Sequence, residues 1–219
     1  MRSHPRRGSS DEELYTIGEE IANSVTHGVG TLLSLAGLIS LVVLGVVRGG
    51  AGRIAAFSVY GTTLVLLHIA STLYHALRPP RAKRVFRILD HAAIYLVIAG
   101  TYTPFCVLAV DKPTGWIVLG VIWAVASAGI TLKSLLIGRF GIASTAGYAV
   151  IGWAGVFLIW KLYGAFPLAT IGWLLGGGVC YSLGIVFYAW RRLRYSHMVW
   201  HLFVLGGAAC HYVAVMLYL

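Results

Sequence analysis

Two spaced pairs and one lone carboxylate carry the chemistry this chain could do. Ser71 and His75 stand in Ser71-Thr72-Leu73-Tyr74-His75, His197 and His201 in His197-Met198-Val199-Trp200-His201, and Asp90 in Arg87-Ile88-Leu89-Asp90. Each pair is spaced i to i+4, which on a helix puts both side chains on one face. All five lie at the ends of apolar stretches, where ionisable groups are costly and usually mark a working site. Three imidazoles with a carboxylate suit a transition metal, zinc above all. A zinc on His75, His197 and His201 would keep a fourth position for water, as in a catalytic site. Asp90 would then bind or deprotonate that water, and Ser71 would orient it or a substrate oxygen. A single histidine near a helix end is more often a packing residue. Three at one depth, with the sole acidic residue inside a span, favour a metal.

The elements that must position these groups are membrane spans. Hydrophobic residues make up 58% of the 219 residues and charged ones 11%, with a mean hydropathy of +0.82, which excludes an ordinary soluble domain. Seven apolar segments are expected, Ile21 to Val47, Ile54 to Leu77, Val85 to Val110, Trp116 to Ile137, Ile142 to Tyr163, Leu168 to Trp190 and His197 to Leu219. Each can cross a hydrocarbon core, which takes about 20 helical residues. The reading is an all-α integral membrane protein, a seven-transmembrane-helix bundle over 21–219. Residues 1–20, with Pro5, Gly8, Ser9 and Ser10, form a flexible tail without the apolar core of a cleavable signal.

The net charge of +10 is a topology signal and not a nucleic-acid footprint. Thirteen basic residues fall on one side, in the tail (Arg2, Arg6, Arg7), the second connection (Arg78, Arg81, Lys83, Arg84, Arg87), the fourth (Lys133, Arg139) and the sixth (Arg191, Arg192, Arg194). Four fall on the other, Arg48, Arg53, Lys112 and Lys161. The positive-inside rule then puts the N-terminus in the cytoplasm and the C-terminus outside. Membrane lipids are the expected partners, with anionic headgroups a secondary target of the Arg78–Arg87 loop. On this topology helix 2 ends, and helices 3 and 7 begin, at the cytoplasmic face, so the five groups converge near the inner leaflet.

The remaining polar residues read more plainly. His68, seven residues before His75, shares its face about 10 Å deeper and is read as a bundle-interior group. His211, ten residues past His201, lies about 15 Å away along the axis, too far to share its coordination. His91 points about 100° from Asp90 and is read as packing; His4 belongs to the solvated tail. Cys106, Cys180 and Cys210 form no C-x-x-C pair and read as small packing residues. Gly172-x-x-x-Gly176 reads as a close helix approach.

Taken in order, Glu20-x-x-Asn23-x-x-Thr26-His27-x-x-Gly30, Ser71-x-x-x-His75, Asp90 and His197-x-x-x-His201 resemble the hemolysin III proteins. These are the bacterial branch of the progestin and adipoQ receptor family, within a wider group of membrane hydrolases that includes alkaline ceramidases. The resemblance covers the chain after the tail. It implies seven helices, a zinc bound by His75, His197 and His201 with Asp90 and Ser71 around its water, an N-in orientation and a bacterial inner membrane. Glu20, Asn23 and His27, at i, i+3 and i+7, line one face at the start of helix 1 and read as a polar cluster that caps and orients it. The expected function is a metal-dependent hydrolase of a lipid amide or ester in the plasma membrane. Two alternatives stand beside it: a non-enzymatic regulator or sensor with structural zinc, and the cytolysis that the family name suggests. A retinal protein is excluded, because helix 7 has no lysine for a Schiff base.

Overall fold

The computed structural model describes residues 15–135, 141–157, 166–190 and 192–219, and of 141–146 the backbone alone. Among the described residues these helices follow one another: α1 Ile17–Arg48, α2 Ala51–Ala76, α3 Pro80–Leu108, α4 Lys112–Leu135, α5 Gly141–Trp153, α6 Leu168–Ala189 and α7 Ser196–Tyr218. Six of them, all but α5, are long and apolar enough to cross a membrane. The fifth expected segment runs to Tyr163, and its last six residues lie outside the described ones, as do His4, Arg2, Arg6, Arg7, Arg139, Lys161 and Arg191.

Local chemistry sets the helix ends. Thr16 caps α1 with a reciprocal pair of bonds: the Glu19 N–H donates to Thr16 Oγ1 at 3.3 Å, and the Thr16 N–H to Glu19 Oε2 at 2.9 Å. The helix therefore begins at Ile17, and 17–20 belong to it and not to the tail. Gly49 and Gly50, at φ of 80° and 99°, make the tight turn into α2. Pro79 holds the end of α2 open in the extended region, and Pro80 occupies the first turn of α3, where its missing N–H costs nothing. That start precedes the apolar segment by five residues, because Arg81, Lys83 and Arg84 are good helix formers that hydropathy overlooks.

The packing is inverted relative to a water-soluble bundle. On α1 the inward stripe is Asn23, His27, Gly30, Ser34, Leu41 and Gly45, while Ile21, Val25, Val29, Leu32, Leu33, Ile39 and Val43 face outward. Apolar side chains outside and small or polar ones inside are what a lipid solvent selects, since hydrocarbon offers leucine no reason to hide. Helices α1 to α4 pack in sequence, α6 packs on α7, and α7 returns to α1. The most enclosed helices are α2 and α3, whose Phe57, Tyr60, Leu64, Leu67, Tyr102 and Phe105 form the core.

Gly30 is where α1 is thinnest. A Cβ there would collide with the His68 ring of α2 and with Leu205 of α7, whereas one at Gly120 meets nothing within 4 Å. Gly30→Ala is expected to lower stability by about 1–3 kcal/mol as overpacking, and Gly120→Ala to leave it unchanged or slightly raised. Thermal unfolding in detergent measures both; equal melting temperatures would mean that α1 yields at this point.

Candidate metal centre

Four helix ends meet at one end of the bundle. The last turns of α2 supply Ser71 and His75, the first turns of α7 His197 and His201, the early part of α3 Asp90, and the first turns of α1 Glu20, Asn23 and His27. The i to i+4 pairs do share faces: Ser71, His75 and His201 are all buried, and the ring centroids of His75, His197 and His201 stand 4.4 to 5.2 Å apart. The start of α7 needs an unusual residue to aim its histidines. Tyr195 sits in the left-handed region at φ 58°, a conformation costly outside glycine, and its N–H donates to Glu19 Oε1 at 3.1 Å.

The donor set fits a metal ion. One ligand nitrogen from each of the three histidines lies within 4.8 Å of the other two. Nε2 of His75, Nε2 of His197 and Nδ1 of His201 are buried without a hydrogen-bond partner. A buried imidazole nitrogen normally finds one, and a cation held by these three residues would satisfy them together. Tetrahedral ligands at 2.0–2.1 Å from zinc lie about 3.3 Å apart, so small side-chain rotations close the group around an ion.

Ser71 and Asp90 stand beside this group. Both line a cavity of about 40 Å³ whose wall also includes His27, His91, Tyr188, His197 and His201. Ser71 Oγ is buried and unpartnered, so its hydroxyl is free to serve whatever enters. His91 also reaches this cavity. Its Nδ1–H donates to the Arg87 carbonyl at 2.8 Å and lies 3.6 Å from Asp90 Oδ2. Asp90 and His91 thus flank one space, where ideal helical angles set them apart.

Helix α1 contributes more than capping. Thr16 and Glu19 perform the cap, which leaves Glu20 to turn inward: its Oε2 accepts from His75 Nδ1 at 2.5 Å and its Oε1 from Lys83 Nζ at 2.6 Å. Asn23 Nδ2 stands 3.5 Å from the same His75 nitrogen. His27 is buried with its ring centroid 4.1 Å from that of His201 and 5.1 Å from that of His68. The first signature therefore touches the histidine group as well as lying at the start of α1. The signal lay in its i, i+3, i+7 spacing, which already put the three residues on one inward stripe. Tyr15 closes this end, its ring 4.8 Å from His197 and 5.9 Å from His75. Burial pushes its phenol well above the ordinary range, so it stays neutral.

The other histidines lie apart from the metal group. His68 is a bundle-interior residue, its Nδ1–H donating to the Leu64 carbonyl at 2.8 Å with Ser34 Oγ at 3.1 Å. His211 donates from Nε2 to the Leu174 carbonyl at 3.1 Å, on α6. The three cysteines are free thiols. Close approach of α6 and α7 rests on Gly177, Gly184 and Gly207, where a Cβ would strike the facing helix. Gly172 and Gly176 have room.

Comparison with known proteins gives the family of the chain. The family model described as "Haemolysin-III related" matches residues 15–212. Hemolysin-3 of Bacillus cereus is 44% identical over 92% of this chain and 92% of its own length. The Hemolysin-3 homolog of Bacillus subtilis (strain 168) is 39% identical over 94% and 96%. The human monocyte to macrophage differentiation factor is 28% identical over 74% of this chain and 69% of its own. With six helices able to span a membrane and a match running from the residue before the first cap to the last turns of α7, the chain is a multi-pass membrane protein that belongs to the haemolysin-III family.

Proposed function

We propose that this protein is a zinc-dependent hydrolase of a lipid amide or ester, working at the cytoplasmic face of the plasma membrane. The observation that carries the reading is adjacency. The small cavity beside the histidines shares Leu67, Ile94, Tyr148, Trp200 and Val204 with a larger cavity of about 170 Å³ between α3, α5, α6 and α7. The wall of that larger space is overwhelmingly apolar, suited to an acyl chain whose carbonyl would then reach the polar end. A soluble substrate would have no use for such an antechamber.

The roles of the chain's own groups follow from their places. His75, His197 and His201 would hold the metal through their unpartnered nitrogens. Bound zinc supplies Lewis-acid polarisation of the carbonyl and lowers the pKa of water. The Asp90 carboxylate accepts the proton that water releases on attacking the carbonyl carbon, and returns it to the departing nitrogen or oxygen as the bond to carbon breaks. Ser71 Oγ orients the substrate oxygen. The apolar walls hold the chain and keep bulk water away. Structural zinc, as in a regulator, would ordinarily be closed by four protein ligands; the group here supplies three and adjoins a cavity, which favours catalysis.

Orientation is supported by charge. Arg78, Arg81, Arg84, Arg192 and Arg194 are exposed at the same end as the histidines, and an excess of basic residues marks the cytoplasmic side. A cysteine placed at Arg81 is expected to resist an impermeant thiol reagent in intact cells and to react after permeabilisation. Labelling from outside would reverse the orientation.

His197→Ala and His201→Ala are each expected to abolish stoichiometric zinc in purified protein, and His211→Ala to retain it. Elemental analysis beside a folding control decides this, since zinc lost alike from all three would indicate collapse of the bundle. Asp90→Asn should keep zinc and fold but lose turnover in a lipid-hydrolysis screen by about 10²- to 10⁴-fold, the usual worth of a general base. Retained zinc with wild-type hydrolysis would remove Asp90 from the chemistry, and zinc without turnover in the wild type would favour the regulator.

A further inference from the structure

The carboxylate of Glu20 is divided between two cations-in-waiting. Oε2 takes the Nδ1 proton of His75, and Oε1 takes a proton from the Lys83 ammonium. His75 is fully enclosed, and its opposite nitrogen, Nε2, is one of the orphans that face the metal position. A carboxylate on one imidazole nitrogen fixes the proton there, leaves the other lone pair free and raises its basicity toward a metal. Lys83 acts in the opposite sense, since an ammonium on the second oxygen draws off part of the negative charge. It is held in place by the Tyr74 carbonyl at 3.3 Å and lies 5.0 Å from the Tyr74 ring centroid. Capping cannot be the purpose of Glu20, because Thr16 and Glu19 already satisfy that helix end.

We infer that Glu20 is a positioning residue that sets how tightly the three-histidine group holds its metal, and that Lys83 opposes it as a built-in attenuator. This rests on the metal reading above and extends it to the regulation of affinity. The same three groups also tie α1, α2 and α3 together, so a purely structural clamp is the competing account. The two accounts differ in sign. A clamp is weakened by loss of either partner, whereas an electrostatic tuner loses affinity without Glu20 and gains it without Lys83.

The test is zinc affinity of the purified full chain, measured by competition with a calibrated chelator, together with melting temperatures of the zinc-free protein. Glu20→Gln keeps a hydrogen-bond acceptor and loses the charge; it is expected to bind zinc about 10- to 100-fold more weakly, the usual effect of removing a carboxylate behind a ligating histidine. Glu20→Asp should recover part of that loss. Lys83→Met is expected to bind zinc more tightly than the wild type. If Glu20→Gln fails to fold, Lys83→Met alone decides, since unchanged or weaker binding in that variant overturns the inference. An affinity of Glu20→Gln within about threefold of wild type also overturns it. A wild-type protein that takes up no zinc would instead overturn the metal reading itself.

Discussion

A polar group inside hydrocarbon has no water to turn to, so each must find a partner within the bundle or remain a cost. That constraint organises this molecule. Hydroxyls spend themselves on carbonyls one turn back, as Thr26, Thr31, Thr72, Thr101 and Thr103 all do. His68 and His211 do the same with carbonyls of α2 and α6. Unpartnered buried atoms remain elsewhere, at Tyr60, Thr170 and the second ring nitrogens of His68 and His211, but ring nitrogens of His75, His197 and His201 and the hydroxyl of Ser71 gather at one end. The fold thus sets polar groups that hold the bundle beside a cluster at one end that does not.

The two kinds are joined through α1. Its outward face is little more than a lipid-facing surface, yet its inward stripe reaches three helices: Glu20 meets His75 of α2 and Lys83 of α3, and Glu19 meets the backbone of Tyr195 before α7. Removing the acidic start of α1 would therefore disturb the two ligand-bearing helices together, although α1 contributes no ligand to the group. The same end of the helix is preceded by Tyr15, whose ring packs against His197 and His75 and is not in the wall of the small cavity.

How much of this was legible in the residues alone depends on the range of the interaction. The i to i+4 pairs Ser71/His75 and His197/His201 are local, and a helix of known pitch places them with no tertiary information. Hydropathy located six of the seven expected spans among the described residues but not their ends, because Thr16, Pro80 and the left-handed Tyr195 act through caps and backbone angles that a hydropathy average cannot register. Glu20 stood in a recognisable pattern and was still read as a cap, since its partners lie 55 and 63 residues away. His91 reads as packing, and it also forms part of the wall of the small cavity. Adjacent helical positions point about 100° apart, but a cavity wide enough to be lined by ten or more residues can be touched from both.

The link between Glu19 and Tyr195 spans 176 residues and closes α1 on the start of α7. During synthesis this seam cannot form until α7 has left the ribosome and entered the bilayer, and α7 carries two of the three ligands. Without α7 the group is reduced to His75, too poor a site to hold a cation. Under the metal reading proposed above, capture would wait for α7, and since an ion bound only by the closed state stabilises that state, its arrival would fasten the start of α7 to the end of α2.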